Sequence, residues 1–218
     1  MEMKERTGTK KNELIRRAAA AAALAIFTAL LICVLTGHTA SFDDPVRESL
    51  YGLRAQGLTA AAIAITTMAD KVFIICVCIL LLIVPRTRMT FGVPLSAGAL
   101  GVTLLNSLIK HLVQRPRPDV LHLVAEHGYS FPSGHSITSF FFYGLAIWLV
   151  RQHVKNPAAR RVLTVLLAIP MVLTGPTRVY LGVHYPTDVL AAWCLGFAAI
   201  VLVIEIICAV RARREGRP

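Results

Sequence analysis

Residues 89–109 read MTFGVPLSAGALGVTLLNSLI, a run of 21 residues without a charged side chain. A second uncharged run, AAAAAALAIFTALLICVLT, covers residues 18–36. A helix needs about 20 apolar residues to cross the roughly 30 Å hydrocarbon core of a bilayer, and both runs approach or reach that length. Of the 218 residues 56% are hydrophobic and 16% are charged, whereas a soluble domain carries roughly 25% charged residues. These figures exclude a soluble enzyme with a conventional core, a disordered chain and a collagen-like fibre. They predict a polytopic membrane protein.

Six hydrophobic stretches predict an all-α fold, a single bundle of six transmembrane helices. The first is too long for the apolar part of a signal peptide, so we expect a retained helix. The second is interrupted by Asp70 and Lys71, which either begin a helix or face the bundle interior. Glu205 in the last stretch is close enough to the basic C-terminal tail to reach towards it. The predicted spans lie near residues 15–36, 60–84, 89–109, 133–150, 162–178 and 188–210.

The formal net charge is +11, and most cations lie in four clusters that alternate with the hydrophobic stretches. Loops rich in Lys and Arg remain on the cytoplasmic side of a membrane. We therefore expect both termini in the cytoplasm and the connections 37–59, 110–132 and 179–187 on the outer face of the cell (inner) membrane. Basic anchors beside anionic lipid account for the charge without a nucleic-acid partner. The predicted organisation is one domain between two basic tails, with boundaries at 1–14, 15–210 and 211–218.

Three segments of the predicted outer face carry polar residues at helix ends. The first, KHLVQRPRP at residues 110–118, follows the third span. Its alternating prolines disfavour helix and give a stiff, extended exit from the membrane. This exit holds Lys110 and Arg117 in a fixed relation near the surface. Taken alone, the segment fits interfacial cations equally well.

The second segment, SFPSGHS at residues 130–136, opens the fourth span. Pro and Ser are residues that start helices, and Gly134 lacks the Cβ that would keep a ligand away from the backbone. Free N–H groups and the positive end of the helix dipole then form an anion site. His135 in the first turn is placed to exchange a proton with a bound anion. The alternative is an ordinary turn with an interfacial histidine.

The third segment, TRVYLGVHYPTD at residues 177–188, links the last two spans. Pro186 is expected in the first turn of the sixth span, with His184 just outside the helix and Asp188 just inside it. A carboxylate at that distance holds the imidazole in one tautomer and stabilises its positive form. The other ring nitrogen is then free to act as nucleophile or base. A lone histidine is more often structural, but Asp188 and the nearby Arg178 favour a catalytic role.

Together the three segments supply cations, a helix N-terminus, two histidines and a carboxylate. Phosphoryl transfer needs this set: charge to hold the phosphoryl oxygens, a nucleophile, and an acid for the leaving group. The sequence contains no Walker loop or di-metal carboxylate pattern, and its five cysteines lack metal-ligand spacing. We therefore expect chemistry without a bound metal or cofactor.

With these residues in view, the sequence resembles the type 2 phosphatidic acid phosphatase family, the membrane branch of a superfamily that includes vanadium haloperoxidases. The family signatures are Lys-x6-Arg-Pro, Pro-Ser-Gly-His and Ser-Arg-x5-His-x3-Asp. They match here as Lys110 to Pro118, Pro132 to His135, and Thr177 to Asp188. The one departure is Thr177 in place of the usual Ser, which keeps a hydroxyl but weakens its assignment as a phosphate contact.

The resemblance implies a role for each matched residue. His184 attacks phosphorus to form a phosphohistidine, and Asp188 orients it. His135 protonates the departing lipid oxygen and then activates water. Arg115 is expected to contact the phosphate-binding residues and not the phosphate, because the family spacing assigns the phosphate contact to Arg117. The implied phosphate-binding residues are Lys110, Arg117, Ser133, Gly134 and Arg178.

The resemblance also implies a membrane lipid as substrate, either undecaprenyl pyrophosphate, phosphatidylglycerophosphate, phosphatidic acid or a related lipid phosphate. Three alternatives use the same residues. A phosphotransferase would pass the phosphoryl group to an alcohol, a silent binder or flippase would hold a lipid phosphate without cleaving it, and a haloperoxidase would hold vanadate. The oligomeric state is left open.

Overall fold

The computed structural model describes the backbone of residues 2–214 and the side chains of residues 12–214, and all regular structure in this part is helical. A π-helical turn, Arg88–Gly92, joins the short helix Pro85–Thr87 to the helix Val93–Val113. Within the described residues nine α-helices follow one another: α1 (Glu2–Leu35), α2 (Ala40–Tyr51), α3 (Gln56–Thr67), α4 (Lys71–Ile83), α5 (Pro85–Thr87), α6 (Val93–Val113), α7 (Gly134–His153), α8 (Pro157–Tyr180) and α9 (Pro186–Arg214). The side chains of the tail cations Lys4, Arg6, Lys10, Lys11 and Arg217 lie outside the described residues.

Four segments of the described chain are long and apolar enough to cross a membrane, namely Asn12–Leu35, Pro85–Val113, α8 and α9. Helices α3 and α4 meet at a bend of 44° and make a fifth crossing if the pair is counted as one broken span. The predicted all-helical, multi-pass architecture is therefore confirmed. The number six stays a prediction.

The predicted span at 133–150 corresponds to α7, which falls short of the apolar character of the other spans. Half of its 20 residues are buried, and these include Ser136, Ser139 and Tyr143. The helix packs against α6, α8 and α9. A helix enclosed by its neighbours buries polar groups against protein instead of lipid, so it does not need an apolar surface all round.

The break between α3 and α4 explains the charged pair inside the second predicted span. Asp70 is the N-cap of α4, and its Oδ1 accepts a hydrogen bond from the backbone N–H of Val72 at 2.8 Å. Of the two alternatives, the first is therefore correct, because a new helix begins at Lys71. The cap satisfies a backbone donor that the bend leaves without an intrahelical partner.

Glu205 joins the first and last helices. Its carboxylate accepts hydrogen bonds from Arg16 at 2.8 Å and from Arg17 at 2.9 Å, both on α1. The expectation that Glu205 reaches towards the C-terminal tail is wrong, because its partners belong to the N-terminal basic cluster. Helix α1 packs along α9 and brings Arg16 and Arg17 next to Glu205. The C-terminal arginines continue α9 itself, so they lie further along its axis from Glu205.

The largest apolar core surrounds α7, where Phe141, Leu145 and Leu149 are fully buried. A smaller apolar cluster lies at the C-terminal end of α8, around Tyr180, Leu181 and Val183. At this end the α6–α7 loop, the α8–α9 turn and α2 meet. The sequence reasoning did not predict α2, which lies within the connection expected at 37–59.

Candidate active site

The N-terminal turn of α7 has the geometry of an anion site. Ser133 is the N-cap and is fully buried. Its Oγ lies 2.8 Å from the Ser136 hydroxyl and accepts from the Ser136 N–H at 3.4 Å. The Ser133 hydroxyl is thus used by the cap, so the first-turn amides of Gly134 and His135 are the groups suited to an anion. A Cβ on Gly134 would lie only 3.3 Å from Asn106 Nδ2.

His184 lies in the turn between α8 and α9, with 1% of its side-chain surface exposed. The turn passes through Gly182 at φ +85°, where a Cβ would come within 2.7 Å of the Leu121 carbonyl oxygen. The Nδ1 atom of His184 lies 3.3 Å from Asp188 Oδ2, and Nε2 lies 3.2 Å from Arg117 Nη1. Because a carboxylate accepts and a guanidinium donates, Nδ1 carries the proton and Nε2 carries the lone pair.

The electrostatic setting keeps the His184 imidazole neutral. Burial lowers the pKa of His184 to about 3, with further lowering from the charges of Lys110 and Arg178. The hydrogen bond and charge of Asp188 act in the opposite direction. Desolvation disfavours the charged form and is the largest of these effects. A neutral imidazole that carries its lone pair on Nε2 is the form that a nucleophile requires.

Asp188, in the first turn of α9, is fully buried and accepts from several donors besides His184. Arg115 Nη1 donates to Oδ1 at 2.6 Å, and the Tyr185 N–H donates to Oδ2 at 2.9 Å. The Ser130 hydroxyl also donates to Oδ2. Buried carboxylates persist when paired and hydrogen-bonded in this way. Asp188 is therefore held in one orientation from both sides of the site.

The support behind Asp188 extends to α2, and sequence reasoning missed it. Arg115 Nη2 donates to Asp43 Oδ2 at 2.8 Å and to Thr39 Oγ1 at 2.9 Å. Asp43 has 1% of its side chain exposed and also accepts from the N–H and the hydroxyl of Thr187, each at 2.9 Å. Arg115 thus links two carboxylates. No motif joins Asp43 to the other segments, so no sequence signal pointed to it.

The three predicted phosphate-binding cations surround the same space as the two histidines. Lys110 Nζ donates to the carbonyls of Tyr129 and, at 3.3 Å, Ser130. Arg178 is 2% exposed, and its Nη1 donates to Thr66 Oγ1 at 3.1 Å. Arg117, the third cation, contacts His184 as described above.

Thr177, the residue that departs from the family signature, turns away from this space. Its hydroxyl donates to the Thr174 carbonyl at 2.8 Å, within α8.

Glu126 is a second residue of this cluster that sequence reasoning missed. Its Oε2 lies 3.2 Å from Arg117 Nη2, and its Oε1 contacts Arg178 Nη2 and lies 3.4 Å from His135 Nδ1. One carboxylate therefore touches two predicted phosphate ligands and the predicted acid. The α6–α7 loop at 114–133 holds only two carboxylates, Asp119 and Glu126. That scarcity was the one available signal.

Comparison with known proteins agrees with the geometry. The family profile described as PAP2 superfamily matches residues 91–211, more than half of the chain, and this range contains all three motifs. Phosphatidylglycerophosphatase B of Bacillus subtilis is 29% identical over 184 residues, covering 81% of this chain and 89% of its own. Undecaprenyl-diphosphatase of Sulfolobus acidocaldarius is 31% identical over 133 residues, covering 58% of this chain and 60% of its own.

A solved structure gives the same result. The crystal structure of a transmembrane PAP2-type phosphatidylglycerolphosphate phosphatase from Bacillus subtilis superposes with a TM-score of 0.79 at 26% identity, covering 88% of this chain and 96% of that one. The family match, the apolar helices and this similarity lead to one conclusion: the chain is a multi-pass membrane protein of the PAP2 superfamily.

Proposed function

We propose that the protein is a membrane lipid phosphatase that cleaves a phosphate monoester or diphosphate of a lipid through a phosphohistidine on His184. The observation that carries this proposal is the orientation of one buried imidazole. Its Nδ1 faces Asp188 and its Nε2 faces Arg117, within a cluster of cations. A nucleophile with its lone pair among phosphate ligands suits phosphoryl transfer. The names of the similar proteins support the same class of reaction.

In the first step the His184 Nε2 lone pair forms a bond to phosphorus while the bond from phosphorus to the lipid oxygen breaks. Lys110, Arg117 and Arg178 neutralise the charge on the phosphoryl oxygens, together with the Gly134 and His135 amides of the helix N-terminus that Ser133 caps. The imidazole becomes positive as the new bond forms. Asp188 stabilises that charge through Nδ1–H, as a carboxylate does for the histidine of other nucleophilic sites.

His135 acts as the acid in the first step and as the base in the second. It donates a proton to the departing lipid oxygen, so the lipid leaves as an alcohol or as a monophosphate. It then accepts a proton from water, whose oxygen attacks the phosphohistidine. The bond from nitrogen to phosphorus breaks, inorganic phosphate leaves, and His184 returns to its neutral form. A positioned acid and base contributes about 10² to 10⁴ in rate.

The substrate is proposed as a lipid because of where the site lies. The cluster sits where α6, α7, α8 and α9 reach one end of the bundle, and lipid phosphates lie at that depth in a bilayer. We place this end on the extracytoplasmic face of the cell membrane, with both termini in the cytoplasm. Undecaprenyl pyrophosphate, phosphatidylglycerophosphate and phosphatidic acid all fit this chemistry, and the similar proteins are named for different lipids.

The test is phosphate release by the detergent-purified protein from each of these three lipids, in the presence of EDTA. We expect the wild type to release phosphate, His184→Ala to be inactive, and His135→Ala to lose about 10² to 10⁴ in rate. His127→Ala is the matched control, because His127 is exposed on the same loop system, and it should keep wild-type turnover.

Three results would contradict the proposal. Loss of activity in EDTA would establish a metal-dependent reaction. A phosphorylated acceptor in place of free phosphate would identify a phosphotransferase. Absence of release from every lipid would favour a silent lipid-phosphate binder.

A further inference from the structure

Glu126 occupies the space where the proposed mechanism needs the phosphoryl group. Its two carboxylate oxygens contact Arg117, Arg178 and His135, which are two proposed phosphate ligands and the proposed acid. The side chain is 19% exposed, at the mouth of the cluster. Arg178 is 2% exposed, and its Nε is buried without a hydrogen-bond partner. Glu126 therefore sits over a buried guanidinium that still has donor capacity for a larger anion.

All five N–H donors of Arg117 already have acceptors. A guanidinium has five N–H donors. Two donate towards the reaction space, to Glu126 at 3.2 Å and to His184 Nε2 at 3.2 Å. The other three donate to backbone carbonyls, those of His127, Gly128 and Val183. A phosphoryl oxygen can therefore accept a hydrogen bond from Arg117 only after the bond from Arg117 to Glu126 or to His184 Nε2 breaks.

The backbone around Glu126 is tied down on both sides. The Leu123 N–H donates to the Leu181 carbonyl at 2.9 Å, and the Ser130 N–H donates to the Arg115 carbonyl at 2.8 Å. The six residues between these anchors, 124–129, carry Glu126 and form the rim of the site. A tethered carboxylate competes at a high effective concentration, in the millimolar range for short tethers.

We infer that Glu126 is an internal anion that closes the phosphoryl site to singly charged head groups and is displaced by a lipid phosphomonoester or diphosphate, so that it sets substrate specificity. This inference rests on the proposed function. A phosphodiester lipid carries one negative charge, the same as the tethered carboxylate, and gains nothing by replacing it. A phosphomonoester carries about −1.5 to −2 at neutral pH and offers three acceptor oxygens to the arginines.

The physical need for such a residue follows from the lipid that surrounds the site. A phosphate site at head-group depth faces bulk phosphodiester lipid at a concentration far above that of any substrate. Because Arg117 and Arg178 bind any phosphate oxygen, cations alone would not distinguish substrate from bilayer. With a built-in competitor that carries one negative charge, a ligand binds only if it interacts with the arginines more strongly than that carboxylate does. This is a form of specificity by exclusion.

The first experiment measures binding of orthophosphate to the purified full-length protein by isothermal titration calorimetry, above the second pKa of phosphate. We expect Glu126→Gln to lower Kd about tenfold relative to wild type, within the usual range for coupling between two ligands of one site. Glu126→Asp, which keeps the charge on a shorter side chain, should fall between them. Glu48→Gln is the matched control, since Glu48 is exposed on α2, and its Kd should equal that of wild type.

The second experiment repeats the titration in micelles that contain phosphatidylglycerol, a singly charged diester. We expect this lipid to weaken orthophosphate binding to Glu126→Gln and to leave binding to the wild type unchanged. An unchanged or higher Kd in both Glu126 variants, or equal competition by the diester in all proteins, would overturn the inference. Because these titrations measure binding, a wild type without turnover on any lipid would refute the proposed function and not the role of Glu126.

Discussion

Asp188 is the residue at which the hydrogen bonds of the candidate site converge. Its carboxylate orients the His184 imidazole on one side and accepts from Arg115 on the other. Arg115 in turn rests on Asp43, and its guanidinium stacks 3.8 Å from the centroid of the Tyr185 ring. Buried charges are stable only in such paired networks, and removal of one member leaves the others without compensation.

The adjacent residues Asp43 and Asp44 provide a matched pair for testing this network. Asp43→Ala leaves Arg115 and Thr187 without their buried partner, and we expect a loss of about 3 kcal/mol in unfolding free energy together with a reduced kcat. Asp44 is 48% exposed and pairs with Arg47 at 3.3 Å, so Asp44→Ala should cost about 0–1 kcal/mol. Thermal unfolding in detergent and turnover assays measure both. Equal effects of the two variants would show that the network does not support Asp188.

The neutral state of His184 has a consequence for stability against pH. Burial lowers the pKa of His184 to about 3 in the folded protein, whereas an exposed histidine titrates near 6.5. Between these values the unfolded chain binds a proton that the folded chain does not, so His184 destabilises the protein as the pH falls through that window.

His184→Asn removes this titration. We expect its unfolding midpoint to rise relative to wild type as the pH is lowered from about 7 to about 5, because only the wild type pays the protonation penalty. Differential scanning fluorimetry over a pH series measures the difference. A difference that stays constant across the series would mean that His184 is not held neutral by burial.

At the scale of elements, α8, which carries Arg178, touches α9, which carries Asp188, at a glycine. Gly175 on α8 faces Val189 and Trp193 on α9, and an added Cβ would lie 2.7 Å from Trp193 Cζ2. Small residues at helix crossings allow the backbones to pack closely in membrane proteins. The absence of a side chain at Gly175 therefore leaves room for Val189 and Trp193 where the two helices touch.

Gly175→Ala tests this contact. We expect a loss of about 1–3 kcal/mol, since inserting a methyl group into a packed interface forces side-chain or backbone shifts. Gly101→Ala on α6 is the control, because a Cβ there meets nothing within 4 Å and alanine favours helix by roughly 0.5–1 kcal/mol. Unfolding midpoints in the same detergent compare the two. A Gly175→Ala protein as stable as Gly101→Ala would show that the α8–α9 contact tolerates separation.

At the scale of the whole molecule, the site depends on three connections meeting at one end of the bundle. Arg54, just after α2, donates to the carbonyls of Tyr180 at 3.1 Å and Leu121 at 3.2 Å. It thereby ties the α2–α3 connection to the α6–α7 loop and to the end of α8. At the opposite end, exposed Lys155 lies between α7 and α8. Lys155 and the candidate site therefore lie at opposite ends of the bundle.

The proposed orientation can be tested by labelling intact cells with a membrane-impermeant maleimide. In a background in which the five native cysteines are replaced by alanine, we expect Asp119→Cys to be labelled, because this exposed residue lies beside the site on the proposed outer face. Lys155→Cys should be labelled only after the membrane is permeabilised. The reverse pattern would place the site in the cytoplasm.

The sequence alone determined the features that depend on residues close together in the chain. The length of the uncharged runs predicted a multi-pass helical protein, and the start of α9 at Pro186 was predicted from the position of a proline. The three motifs identified the histidines, Asp188 and the three cations that the structure brings into one space. Such features are local, because helix length, caps and short spacings follow from hydrophobicity and backbone conformation.

Only the tertiary structure revealed Asp43 and Glu126 as members of the site, and α7 as an enclosed helix with a polar face. Asp43 lies in a connection far from the motifs, and Glu126 lies in a loop without a recognisable pattern. Their contacts arise from the packing of α2 and of the α6–α7 loop over the end of the bundle. A contact between distant segments depends on how whole helices pack, and hydrophobic pattern and motif spacing do not encode that arrangement.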